Sequence, residues 1–401
     1  MPAGRPQVLV ATAGTLGDLL PFVALGRRLT AQGREVTIAC ATGLHDWVNR
    51  SGLRAVAFDG DFGREQAQRH AGHWNHWGSV EAKEAAPRLR SFVDKLERNT
   101  RDLARLARGA ALLITPTNCP EGRLAHELVG TPWISAIFVP EQGLRASARE
   151  AGGPAMAEQL DQLLNRLGLS RRVAASWEDL GRSPKALFAC SAALGRSEDT
   201  ALWQTGFWFY DDPDWAQWRP SDELARFMEG PPPLVLSFSS LPLEEPRSVL
   251  AVHVRAAHIL GRRLVVQQGW GGFSRELLPE DVDPESVWMA SFIPHDWFLP
   301  RAAALITHGG VGTLGRALRH RCPLLVEPYG NDQFYNALLV KKLGYGSAMN
   351  PLRLTAENVA RVLSEKVFPT REGLAGAQAL IRKEDGLGRA CELIEERLAA
   401  G

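Results

Sequence analysis

A chain of 401 residues is too long for one ordinary hydrophobic core and suits two α/β domains of roughly 200 residues each. Apolar residues at 45% and charged ones at 23% exclude a disordered or fibrous chain. The 46 basic and 45 acidic side chains nearly cancel and form no basic stripe, which argues against a nucleic-acid partner.

Residues 7–13 read as a buried strand, 14–18 (G-T-L-G-D) as a glycine turn, 19–31 as a helix and 35–40 as a second strand, which together make a βαβ unit. The opening apolar run is cut by Gly14 and Asp18, so a strand accounts for it better than a signal peptide. Further strands are expected at 55–58, 111–115, 133–138 and 186–189, with a helix over 81–108 between them. Alternation of this kind predicts a parallel, doubly wound sheet. The pattern breaks at 211–233, where D-D-P-D-W and G-P-P-P mark an interdomain linker. It restarts with strands at 234–238, 264–267, 287–290, 303–307 and 324–327, and two helical stretches, 373–382 and 388–398, close the chain. No segment approaches the ~18 consecutive apolar residues of a membrane span, although peripheral membrane contact stays open. The five cysteines, Cys40, Cys119, Cys190, Cys322 and Cys391, contain no C-x-x-C pair and point to a reducing cytoplasm rather than a disulfide framework.

The strongest local motif is T-H-G-G-V-G-T at 307–313, where a strand ends and a helix begins. Glycines there let the backbone approach a ligand, and the first helical turn attracts anionic oxygens with its N–H groups and dipole. His308 stands where an imidazole could donate to a phosphate; a tight turn with a core histidine is the blander account. The same stretch holds Gly310, Gly312 and Gly315 in G-x-G-x-x-G spacing, with Glu327 ending the next strand 17 residues after Gly310. That is a rival signal for a nicotinamide-dependent oxidoreductase.

Asp18, after a strand and a glycine turn, could act as a general base or could cap the helix that follows. V-A-F-D-G-D at 56–61 offers Asp59 and Asp61 either as ligands of a divalent cation or as a polar surface turn. The tract 62–77 holds Phe62, His70, His73, Trp74, His76 and Trp77. Phe62, Trp74 and Trp77 could bind a flat apolar acceptor, or could equally be the core face of an amphipathic helix.

Four motifs, in order, resemble one family. G-T-L-G-D-L-L-P-F at 14–22, T-G-F-W-F at 205–209, S-F-S-S-L at 237–241 and the segment 291–333, from S-F-I-P-H-D-W-F-L-P through T-H-G-G-V-G-T to E-P-Y-G-N-D-Q, are similar to motifs of GT-B glycosyltransferases. The likeness is to bacterial antibiotic glycosyltransferases and sterol glucosyltransferases. It implies an α/β fold of two doubly wound, Rossmann-like domains facing across a cleft. Residues 1–210 would bind the acceptor, 211–233 would link, 234–385 would bind a nucleotide-sugar donor, and 386–401 would return to the first domain. The resemblance implies that Phe292 and Ile293 lie against the nucleobase and that Ser240, His308, Gly309, Gly310 and Thr313 hold the diphosphate. Thr15 and Gly312 join that donor set, Asp332 and Gln333 bind sugar hydroxyls, and Asp18 activates the acceptor.

The expected reaction is inverting transfer of a hexose from a UDP- or TDP-sugar to an apolar natural product or sterol-like lipid, with no metal and no cofactor beyond the nucleotide sugar. A nucleotide-sugar epimerase can share the fold and is a second alternative. Three positions depart from the family pattern: Thr307 replaces a first histidine, Ser239 stands where glycine is usual, and Arg316 occupies the place of a ribose-binding glutamate. The last departure leaves uridine and thymidine donors both open.

Overall fold

The computed structural model describes residues 7–60, 63–69, 82–140, 154–330 and 332–399. These group into two compact units, one from the described residues of Met1–Gly63, Gly78–Asp211 and Glu384–Gly401, the other from those of Arg64–Trp77 and Asp212–Lys383. The units interleave along the chain. A short helix, Arg64–Arg69, belongs to the second although it follows the third strand of the first.

The first unit is a seven-stranded sheet of β1 (Gln7–Ala11), β2 (Glu35–Cys40), β3 (Arg54–Ala57), β4 (Leu112–Pro116), β5 (Trp133–Ile137), β6 (Ala186–Phe188) and β7 (Leu202–Gln204). The strands lie in the order β3-β2-β1-β4-β5-β6-β7, every pairing parallel. All residues of β4 and β5 are buried, as expected where helices cover both faces of a sheet. The order reverses between β1 and β4, so the loops leaving their carboxyl ends flank a topological switch point, where ligands bind in open α/β sheets.

The first helix, α1 (Leu16–Ala31), starts three residues earlier than the hydrophobic pattern suggests, because Thr15 caps it and Asp18 already lies in its first turn. The helices α2 (Ala82–Ala107), of 26 residues, and α3 (Glu121–Val129), of nine, flank β4 along the chain. The T-G-F-W-F stretch at 205–209 forms no strand and continues the pairing of β7 with β6 by one bond, Thr205 N–H to Phe188 O at 2.9 Å.

The second unit is a six-stranded sheet of β8 (Leu234–Ser237), β9 (Leu264–Gln267), β10 (Val287–Ala290), β11 (Ala304–Thr307), β12 (Leu324–Val326) and β13 (Gly346–Ala348). Its order, β10-β9-β8-β11-β12-β13, is again all parallel and switches between β8 and β11. Its principal helices are α4 (Pro246–Ile259), α5 (Val311–Arg319) and α6 (Gln333–Lys342). Leu234, Leu236, Leu250, Val254, Leu264, Val266, Ala304 and Ile306 build the core between the sheet and α4.

The stretch expected as a linker carries a 3-10 turn, Pro213–Ala216, and a short helix, Asp222–Phe227; from Asp212 onward it groups with the second unit. The chain rejoins the first unit at Glu384, and α7 (Gly386–Ala399) runs back against α1. Gly386 abuts the Gly206–Phe207 backbone, where a Cβ would have no room, while Glu395 pairs with Arg34 and Asp385 with Arg28.

All five cysteines are free and buried. No helix among the described residues is long and apolar enough to cross a membrane.

Candidate functional site

In the first unit the switch point carries Asp18. After β1 the chain turns at Gly14, whose φ of +115° favours glycine and whose missing Cβ leaves the space that the Asp18 carboxylate fills. Thr15 caps α1 by accepting from Gly17 N–H at 3.2 Å, and Asp18 reaches back to accept from Thr15 N–H at 2.8 Å through Oδ2. This is a reciprocal capping box. The cap and the candidate base are therefore parts of one arrangement, with Asp18 at the third helical position and not at the cap position that the sequence pattern suggested.

Across the switch point the loop after β4 contributes Asn118, whose Nδ2 donates to Asp18 Oδ1 at 3.3 Å. Burial raises the Asp18 carboxyl above the usual carboxylate range, despite the opposing hydrogen bonds from Thr15 and Asn118. A carboxylate raised in this way, with lone pairs to spare, is suited to accept a proton.

In the second unit the switch point carries the glycine motif. Gly309, at φ +99°, packs so tightly on Val326 that a Cβ would stand 2.7 Å from its Cγ1, and one on Gly310 would stand 2.7 Å from His308 Nε2. Gly310 precedes α5, which has no side-chain cap, and open space lies beside Gly312. The first-turn N–H groups, Thr313 among them, are thus left for an anion. His308 is buried, and burial pulls its pKa down to about 4, so the ring is neutral at pH 7. Its Nδ1 lies 3.4 Å from Thr307 Oγ1, and its Nε2 meets no hydrogen-bond partner among the described residues.

Ser240 follows β8 on the other side of this switch point and is nine-tenths buried. Ser239 adopts φ +51°, the left-handed conformation natural to glycine, which explains why glycine fits that position in the family. Its carbonyl accepts from Trp270 N–H at 2.8 Å, where Gly269 leaves no space for a Cβ.

Asp332 and Gln333 flank the start of α6. Gln333 Oε1 accepts from the N–H groups of Tyr329 (2.9 Å) and Gly330 (3.2 Å), so its carbonyl braces its own loop. Asn336 donates to Asp332 Oδ2 at 2.8 Å and to Gly309 O at 2.9 Å, tying this loop to the glycine motif.

Phe292 and Ile293 divide. Ile293 is core, 1% exposed, with its carbonyl bonded to Gln267. Phe292 is 38% exposed and stacks on Trp215, ring centroids 5.1 Å apart at 24°.

Glu327 does not stand where a ribose-binding acid would. It is fully buried, and its Oε1 pairs with His253 Nε2 at 2.9 Å. Burial opposes protonation of His253, but Glu327 outweighs it and raises the histidine pKa. The dinucleotide fingerprint therefore lacks its acid.

Asp59 is held by Lys95 at 2.6 Å and by Asn99 at 2.8 Å. Asp61, Phe62, Trp74 and Trp77, with His70, His73 and His76, lie outside the described residues. Among the described residues no group of three or more His, Cys, Asp or Glu side chains is arranged to hold a metal.

Pattern reasoning missed Asn118, Trp215 and the contact between Arg316 and Asp296. The rule that sites gather at the switch point would have directed attention to the loop after β4, and so to Asn118.

Two family models match parts of this chain. The glycosyltransferase family 28 N-terminal domain matches residues 8–100, and the erythromycin biosynthesis protein CIII-like C-terminal domain matches residues 276–385. A crystal structure of the glycotransferase of kitacinnamycin superposes with a TM-score of 0.75 at 18% identity, covering 99% of this chain and 100% of that one. The chain has the GT-B fold.

It is 27% identical to the sterol 3-beta-glucosyltransferase of Candida albicans over 395 residues, 90% of this chain and 26% of that protein. It is also 27% identical to the O-mycaminosyltylonolide 6-deoxyallosyltransferase of Streptomyces fradiae over 433 residues, 97% of each. The chain spans about a quarter to a third of the length of the yeast sterol glucosyltransferases it matches. The resemblance to GT-B glycosyltransferases of the antibiotic and sterol type is borne out, and the chain is a homologue of these enzymes.

Proposed function

We propose that this GT-B chain transfers a hexose from a nucleoside diphosphate sugar to a hydroxyl of an apolar small molecule, with inversion at the anomeric carbon. The observation that carries this reading is the uncapped amino terminus of α5 behind Gly309 and Gly310, with neutral His308 over Gly310, at the switch point of the second sheet. Such a terminus binds a diphosphate and stabilises it as it departs.

The first unit, with Asp18 as base, takes the acceptor, whose hydroxyl oxygen attacks the anomeric carbon as its proton passes to the Asp18 carboxylate. The second unit takes the donor. Ser240, Thr313 and the α5 N–H groups join His308 on the diphosphate, while Asp332 and the Gln333 amide hold sugar hydroxyls. A fully hydroxylated hexose such as glucose suits these polar side chains, since burying them unpaired is costly. The names of the relatives support an apolar acceptor, one a sterol and the other a tylonolide.

Ligand-dependent melting tests the donor. A nucleotide sugar at 100 times its Kd stabilises the native state by about 2.7 kcal/mol, so UDP-glucose or TDP-glucose is expected to raise Tm by several degrees, and NAD to leave it unchanged. A shift with NAD alone would overturn the reading in favour of an oxidoreductase, and consumption of donor without acceptor would favour an epimerase.

Activity is also expected to survive excess EDTA, because His308 and the α5 terminus do the work that a cation would do, while Lys95 and Asn99 already engage Asp59. Complete loss on chelation, restored by magnesium or manganese, would instead establish a metal-dependent mechanism.

A further inference from the structure

The second unit holds one carboxylate that is anchored on one side and open on the other. Asp296 lies in a short helix, His295–Phe298, directly after the Phe292–Pro294 turn. Two donors converge on its Oδ1: Arg316 Nη1 at 3.1 Å, from α5, and His320 Nε2 at 2.6 Å, from the residue that ends it. Its Oδ2 meets no partner among the described residues, and the side chain is 42% exposed. Burial works to raise its pKa, but the His320 hydrogen bond and the charges of Arg316, His320 and Arg319 outweigh it and hold the group ionised.

Its surroundings say what an open, ionised carboxylate could meet. The Arg316 guanidinium also lies over the Trp215 ring, 5.7 Å from its centroid, and Trp215 stacks on the half-exposed Phe292. Asp296 thus stands beside the aromatic pair. On its other side, Arg316 is the sixth residue of α5, which at 1.5 Å per residue puts it roughly 7–8 Å along the axis from the uncapped terminus. A nucleoside diphosphate with its base against the aromatic pair and its diphosphate at that terminus has its ribose in the interval.

We propose that Asp296 accepts hydrogen bonds from the ribose hydroxyls of the donor nucleotide through its open Oδ2, with Arg316 and His320 as positioning residues that pin Oδ1. This inference rests on the nucleotide-sugar reading above. Arg316 itself cannot accept from a hydroxyl, because a guanidinium only donates. The carboxylate that the helix lacks at that position is supplied from the neighbouring loop.

Calorimetric titration of the full chain with UDP and with 2′,3′-dideoxyuridine diphosphate tests the assignment; thymidine diphosphate and its 3′-deoxy analogue serve in the same way for a thymidine-specific site. The native protein is expected to bind the hydroxylated nucleotide at least about tenfold more tightly, since the analogue leaves a charged acceptor unpaired. Asp296→Ala is expected to bind both at the weaker level. Asp296→Leu provides a second variant if the first does not fold: it keeps a comparable volume but offers neither donor nor acceptor where Oδ2 stood, so the preference is lost as well. Retention of the tenfold preference in a folded variant would overturn the inference while leaving the donor site standing. Equal binding of the two ligands by the native chain would do the same. Failure of the native chain to bind any of these nucleotides would overturn the donor reading itself.

Discussion

Asp18→Asn is expected to lower kcat by on the order of 100-fold or more while leaving donor affinity and Tm close to those of the native chain. The amide keeps the size of the side chain and one acceptor oxygen for Thr15 N–H, so the capping box loses little, well within the roughly 1 kcal/mol that a cap contributes. What it removes is the proton-accepting charge. Asn118, the other partner, can turn its own amide to present oxygen to the new donor.

The pH profile adds a second readout. A base works only when deprotonated, and burial raises the Asp18 carboxyl, so the acid limb of kcat/KM is expected to turn at a pH above the ordinary carboxylate pKa of about 3.9. If Asp18 served only the cap, the variant would turn over at nearly the native rate. That result, obtained with a genuine acceptor, would rule out Asp18 as the base.

His308→Ala is expected to reduce kcat/KM for the donor by roughly 100- to 1000-fold, the scale on which single donors to a developing anion act. Because burial holds the ring neutral at pH 7, the hydrogen bond it offers comes from an uncharged imidazole, and the charge assistance comes from the diphosphate. The substitution also removes a buried ring that meets Phe238 edge-on, centroids 6.4 Å apart, so some loss of Tm accompanies it. His308→Gln separates the two effects. It restores volume and an N–H donor, and is expected to recover stability fully and donor use in part. Unchanged donor kcat/KM in a folded His308→Ala protein would refute the phosphate site.

The α/β class, the doubly wound sheets and the glycine turn before α5 were legible in the sequence. Each is encoded within a few consecutive residues: apolar runs long enough to cross a buried sheet, helical periodicity after them, and glycines where the backbone turns tightly. Two of the four edge strands were not. Leu202–Gln204 and Gly346–Ala348 are three residues each, too short for a pattern, and they exist because a neighbouring strand offers hydrogen bonds.

The partners of individual polar residues were decided by tertiary structure alone. Glu327 resembles a cofactor-binding acid in spacing, yet His253, 74 positions away, engages it in the core. Asn118 reaches Asp18 across 100 positions, because β1 and β4 are neighbours in the sheet. Arg316 reads in the sequence as an isolated cation, yet Asp296, 20 positions earlier, pairs with it. Local sequence determines where the backbone turns and which face is apolar, since those depend on near neighbours. Whether a carboxylate is buried, paired or open depends on side chains that only the folded sheets bring within about 3 Å.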